Sequence, residues 1–190
     1  MNKKTLRSVY LSKRIGLSDS EYSNRNHQLT AHVLTFLKQH NPYRNVHIFL
    51  SMEEQKEPLT TEILTFLWAQ NNQQVFSSKT HFAERKLSHH IVSSMDDIQR
   101  DERGIPYPAT EAEYPAKTMD LVFVPLISFD RKGHRIGYGA GLYDRFLSQL
   151  RSDCLKVGLA LTPPLDKILF SESHDMPLDA CITHLGLYHF

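Results

Sequence analysis

A chain of 190 residues, 41% hydrophobic and 23% charged, has the make-up of one ordinary globular domain with a full core. Its formal net charge of +1 offers no strongly basic face, so nucleic acid is not expected as a partner. The two cysteines, Cys154 and Cys181, lack metal spacing, no membrane-length apolar run occurs, and "MNKKTLRSVYLSKRIGLSDSE" has no secretion-type core, so a reduced, cytoplasmic protein without a membrane partner is expected.

"KKTLRSVYLSKRI" reads as a basic amphipathic helix, with Leu6, Tyr10 and Ile15 inward and Lys3, Lys4 and Arg7 neighbours across a turn. Ser18 followed by Glu21 is a capping box and opens a second helix to about Gln39, with Leu29, Val33, Phe36 and Leu37 as its apolar stripe. "NVHIFLS" is a strand. Thr60 or Thr61 caps a third helix carrying Ile63, Leu64, Phe66, Leu67 and Trp68. "QQVFSS" and "HHIVSS" read as further strands. On such a strand His89 and His90 point to opposite faces and make no metal pair. The proline-rich "GIPYPATEAEYP" (104–115) is expected to be irregular. "MDLVFVPLISF" holds a buried strand, "DRKGHR" a turn, "LYDRFLSQLR" a helix, "LKVGLAL" another buried strand and "DACITHLGL" the last. Strands alternating with helices predict a single α/β domain over residues 1–190, with a mainly parallel sheet flanked by helices.

"RIGYGAGLYDRF" spaces Gly137, Gly139 and Gly141 at every second position before a helix. Glycines let backbone N–H groups approach an anion, and a helix start adds unpaired donors and partial positive charge. A tight structural turn explains the glycines equally well. The loop has neither the Lys-Ser/Thr of a P-loop nor the G-x-G-x-x-G of a dinucleotide fold. Asp144 follows at once. A carboxylate suits a first helical turn, but beside a phosphate it repels unless a divalent cation such as Mg²⁺ lies between. Arg135 and Arg145 bracket the loop and could offset phosphate charge. "SESHDMPLD" offers Asp175 and Asp179 as a second acidic ligand.

"MDLVFVPLISFDRKGHRIGYGAGLYDRFL" closely resembles the signature of the 5-formyltetrahydrofolate cyclo-ligase family, also called methenyltetrahydrofolate synthetases. "KKTLR", "IFLSMEEQKEPLTTEIL", "GIPYP" and "HDMPLD" resemble that family's other motifs in the same order, so the resemblance spans nearly the whole chain. It implies a NagB/RpiA/CoA-transferase-like fold and a monomer acting on small molecules, 5-formyltetrahydrofolate (with or without a polyglutamate tail) and ATP. The implied reaction is ATP- and Mg²⁺-dependent closure of 5-formyltetrahydrofolate to 5,10-methenyltetrahydrofolate. By position, the resemblance assigns ATP to Lys3, Lys4, Thr5, Leu6 and Arg7, and to Arg135, Ile136, Gly137, Tyr138, Gly139, Ala140, Gly141, Leu142 and Tyr143. It assigns folate to Leu50, Glu57 and the stretch Tyr138 to Leu142, Mg²⁺ to Asp144 and Asp175, and catalytic roles to Tyr143 and Arg145. "EEQKEPLTTE" is longer than the family segment, which leaves Glu54 as the alternative to Glu57. Leu142 stands where the family has a tyrosine. That departure keeps open a ligand-binding module without turnover; a phosphoryl-transfer enzyme with another substrate is a further alternative.

Overall fold

The computed structural model describes residues 2–39, 43–168 and 175–190. The first helix, α1 (Lys3–Ile15), starts at Asn2, whose side chain accepts from the Thr5 N–H. Its inward stripe is Leu6, Tyr10 and Arg14 rather than Leu6, Tyr10 and Ile15: Ile15 is 44% exposed and Arg14 only 2%. The next, α2 (Asp19–Gln39), opens on the expected reciprocal cap, with Ser18 N–H on Glu21 Oε2 (3.1 Å) and Glu21 N–H on Ser18 Oγ (3.3 Å). Strand β1 (Asn45–His47) follows, then α3 (Thr61–Trp68). Thr60 precedes α3 as expected, but its hydroxyl meets Ser51 Oγ (2.8 Å) instead of capping a helical N–H.

Strands β2 (Gln74–His81) and β3 (Lys86–Ile91) form an antiparallel hairpin. The segment expected to be irregular contains β5 (Pro106–Pro108), paired with β4 (Ile98–Arg100). Two prolines fit there because alternate N–H groups face opposite sides of a strand. Pro106 and Pro108 lack donors on the open side only, while Ala109 N–H still reaches Asp97 O (2.7 Å) on the paired side. Strand β6 (Leu121–Pro125) is buried throughout. A short hairpin of β7 (Ser128–Phe129) and β8 (Arg135–Ile136) then leads through the glycine loop into α4 (Leu142–Leu147). This helix is shorter than "LYDRFLSQLR" suggested. Strand β9 (Leu155–Ala160) comes next, and the terminal segment expected as one strand is two, β10 (Ala180–Thr183) and β11 (Gly186–His189), folded back at Gly186.

The main sheet has seven strands in the order β11-β10-β9-β6-β1-β2-β3, parallel except for the two edge strands. On one face, Val46, Ile48, Leu121, Phe123, Val157 and Leu159 pack against the stripes of α2 and α3. On the other, Phe76, Val122, Val124 and Cys181 meet Phe146 and Leu147 of α4, with α1 and the β7–β8 hairpin alongside through Leu6, Ile127 and Ile136. Both cysteines are buried and unpaired. Among the described residues no helix is long and apolar enough to cross a membrane.

From β1 the chain steps outward to β2, and from the adjacent β6 it steps the opposite way to β9. The crevice beyond the carboxyl ends of β1 and β6 is therefore a topological switch point, where open α/β sheets receive ligands.

Candidate active site

A cleft of about 450 Å³ opens at that point, with Phe49 and Leu50 beyond the end of β1 and Pro125 at the end of β6. Its floor and far wall come from Ser77, Ser78 and Thr80 of β2, with Ile105 and Pro106 beside them. Across the cleft lies the glycine loop from Gly137 to Gly141.

Lys3 and Arg7, one turn apart on α1, both line the cleft. Arg7 Nε donates to Gly137 O (2.8 Å). Its guanidinium lies so close to Gly139 that a Cβ there would sit 2.7 Å from Arg7 Cζ, and Gly139 has a φ of +96°. The missing side chain thus makes room for Arg7 as well as for any ligand. Among the described residues, the amide N–H groups of Tyr138, Gly139, Ala140 and Gly141 meet no acceptor. They remain as donors beside three cationic side chains, those of Lys3, Arg7 and Arg135. Buried Arg135 donates to Met176 O and, at 2.5 Å, to Asp144 Oδ1. Burial pulls its pKa down, while Asp144 and Asp175 push it back up.

Asp144 and Asp175, expected to converge, do line one cleft, but each faces a cation: Asp144 meets Arg135, and Asp175 meets Lys3 Nζ at 2.6 Å. Asp179 lies apart, bound to Lys156 (2.7 Å). The first residues of the acidic segment, 171–174, fall outside the described residues. Among the described residues no group of three or more His, Cys, Asp or Glu side chains forms a metal cage. A Mg²⁺ ion held by Asp144 and Asp175 would have to displace Arg135 and Lys3 from them, and would take its other ligands from phosphate and water.

Opposite the loop, Glu57 is 4% exposed. Its Oε2 accepts from Met52 N–H (2.9 Å) and its Oε1 from the Tyr138 hydroxyl. Burial raises the pKa of this carboxyl, and the bonds from Tyr138 and Met52 and the Arg14 charge hold it partly down. Glu54, the alternative candidate, is exposed and lies 3.7 Å from Arg100. Leu50, Leu142 and Tyr143 line the cleft.

Five expected residues do not reach it. Lys4 and Thr5 point to solvent, and Leu6 and Ile136 are buried with Ile127 and Ile168. Arg145, expected to be catalytic, is exposed behind the loop, donating to the carbonyls of Ala140 and Gly141 (3.3 Å each). Sequence reading missed the walls formed by Ser77 and Ser78, which carry no motif, and gave no site role to Ile105 of "GIPYP". It also missed Arg14, whose basic spacing on α1 looks like any solvated face.

Fold and cleft together define an α/β protein with a cleft at the carboxyl edge of a mainly parallel sheet, lined by unbonded amides and cations on one side and by apolar residues on the other. The model of the 5-formyltetrahydrofolate cyclo-ligase family matches residues 1–184, and the chain belongs to that family. It is 27% identical to the 5-formyltetrahydrofolate cyclo-ligase of Haemophilus influenzae over 87% of this chain and 88% of the relative. It is 31% identical to the Saccharomyces cerevisiae enzyme of that name over 77% of this chain and 79% of the relative. The 5,10-methenyltetrahydrofolate synthetase structure from Aquifex aeolicus superposes with a TM-score of 0.80 at 26% identity, covering 100% of this chain and 93% of that one. The synthetase from Mycoplasma pneumoniae shares the fold at a TM-score of 0.75 and 20% identity, over 97% and 99% of the two chains.

Proposed function

We propose that this enzyme closes 5-formyltetrahydrofolate to 5,10-methenyltetrahydrofolate at the cost of one ATP, releasing ADP and phosphate. The observation that carries this reading is the meeting, in one cleft, of unbonded loop amides and three cations with an anchored carboxylate set among apolar walls.

A formamide carbonyl is a poor electrophile because its nitrogen donates into it. Transfer of the γ-phosphoryl group of ATP to the formyl oxygen turns that oxygen into a leaving group. N10 then attacks the formyl carbon, the carbon–oxygen bond breaks, phosphate departs with the oxygen, and the N10 proton is lost to solvent. Phosphoryl transfer needs held oxygens and balanced charge more than covalent help. The amides of Tyr138 to Gly141 supply donors, and Lys3, Arg7 and Arg135 supply charge. Mg²⁺, held by Asp144 and Asp175, would neutralise phosphate oxygens. As nucleotide enters, Lys3 and Arg135 exchange their carboxylate partners for phosphate. Glu57, fixed by Met52 N–H and Tyr138, keeps lone pairs for the N–H donors of the pterin ring, while Phe49, Leu50 and Pro106 cover its faces.

The test is direct. Purified protein mixed with 5-formyltetrahydrofolate, ATP and Mg²⁺ should gain the near-ultraviolet absorbance of the methenyl product. Asp144→Asn should lower kcat by roughly 100-fold, the scale of losing one electrostatic anchor of a transition state. A flat absorbance trace at ample enzyme contradicts the proposal.

A further inference from the structure

Among the described residues Arg14 is the largest side chain that is almost wholly buried, and no carboxylate among them forms a direct ion pair with it. A buried cation without a counter-charge is costly, so its surroundings should explain it. Its guanidinium donates to three oxygens: Gln55 O (3.0 Å), Leu126 O (3.4 Å) and the Tyr138 hydroxyl (2.7 Å). The last contact fixes a direction. Guanidinium has donors only, so the Tyr138 oxygen must accept from Arg14, and its own proton goes to Glu57 Oε1. The counter-charge of Arg14 is therefore Glu57, one hydroxyl away.

We infer that Arg14 is a positioning residue for substrate recognition: acting through the Tyr138 hydroxyl, it keeps Glu57 turned into the cleft, and it ties that carboxylate to the glycine loop in which Tyr138 sits. The substrate-binding part of this inference rests on the folate reading above; the Arg14–Tyr138–Glu57 relay does not. Other groups face Glu57 as well. Tyr22 of α2 donates to its backbone carbonyl (2.6 Å), and the pKa of Tyr143 of α4 is raised by burial first and by the Glu57 charge second. Of these, only Arg14 is cationic. Removing it leaves a buried carboxylate without its opposing charge, and such a carboxyl takes up a proton at higher pH. A protonated Glu57 presents an O–H where the substrate offers N–H groups, so binding weakens.

The relay is tested without substrate by carboxyl ¹³C NMR, with the Glu57 signal assigned by Glu57→Gln. Arg14→Met should move its titration upward by about one pH unit or more, the usual effect of losing a nearby opposite charge. Arg14→Lys, which keeps the charge, should restore much of the shift and serves as the second variant if Arg14→Met folds poorly. In kinetics, Arg14→Met and Tyr138→Phe should each raise the KM for 5-formyltetrahydrofolate about tenfold, the scale of one charge-assisted hydrogen bond, with kcat changed less. The KM penalty should grow as pH falls. The double variant should lose little more than the worse single one, since the residues act as one unit. An unchanged Glu57 titration in Arg14→Met, or fully additive KM losses, overturns the inference. A shifted titration in a protein that makes no methenyl product instead keeps the relay and refutes the folate reading.

Discussion

In β1, Val46 points to the helices α2 and α3, while the next residue, His47, points to α4, where its ring lies 4.8 Å from that of Phe146. The same alternation separates the two faces of the whole sheet. Toward α2 and α3 the sheet contributes a large apolar cluster, among it Ile48, Leu121, Phe123, Leu159 and Ile182, all with 0% exposure. Toward α4 the sheet carries His47, Ser78 and His89, linked through the serine hydroxyl at 2.7 and 2.9 Å. The first face buries surface and holds the fold together. The second gives up some of that burial and keeps polar groups near a cleft. A mutation on the first face should therefore act on stability at any pH, and one on the second on ligand binding or on how stability depends on pH.

The largest expected effect breaks the apolar face. Phe123→Ala should cost about 4 kcal/mol of stability, the usual cost of an emptied aromatic site. It would show as a lower urea midpoint, with KM values near wild type in the fraction still folded. A substitution tolerated within 1 kcal/mol would contradict the assignment of the core to that face.

The polar face should reveal itself through acid. Burial drives the His89 pKa down to about 4, and that of His47 well below its usual value, so both are neutral when folded. The unfolded chain binds protons near pH 6.5 while the folded one resists, so the stability these groups confer is complete above pH 6.5 and falls as pH drops toward 4. For His89 alone the loss is about 3 kcal/mol across that window. Denaturant titrations at pH 7 and pH 4.5 would measure it, and His89→Gln should flatten the dependence. An equal slope in that variant would remove His89 as a cause.

A smaller effect belongs to the loop. Gly139→Ala forces a side chain into a positive-φ position and against Arg7, and should cost roughly 1–2 kcal/mol of stability. Its sharper signature is a raised KM for ATP with the KM for folate little changed. Equal changes in both would mean that the loop serves the cleft only as a scaffold.

Much of the apolar face was legible because burial leaves a local trace. The stripe Leu29, Val33, Phe36 and Leu37 and the run in β6 are visible within a few residues, and all are buried. The glycine loop was legible as a loop before a helix, though its spacing suited a tight turn as well as an anion cradle. What escaped was set by distant partners. Arg14 sits on an inward position of α1 that periodicity reserves for an apolar residue, and its reason is Tyr138, 124 positions later. Lys4 and Lys3 are chemically alike and adjacent, yet only Lys3 reaches the cleft, because one helical step of rotation separates them. The β4–β5 ladder was hidden by prolines that abolish donors on one side only. Glu57 was preferred by motif with Glu54 as the alternative; in the fold Glu57 lines the cleft, held by Met52 N–H, while Glu54 is exposed.

The central claim is that the amides of the glycine loop take the phosphates of ATP. Backbone amide NMR during titration with ATP and Mg²⁺ tests it most directly. The largest shifts should fall on Gly137 to Leu142 and on the α1 turn bearing Lys3 and Arg7, with residues under α2 and α3 quiet. Calorimetrically confirmed ATP binding that leaves those loop amides unmoved, with shifts gathered elsewhere, would contradict it.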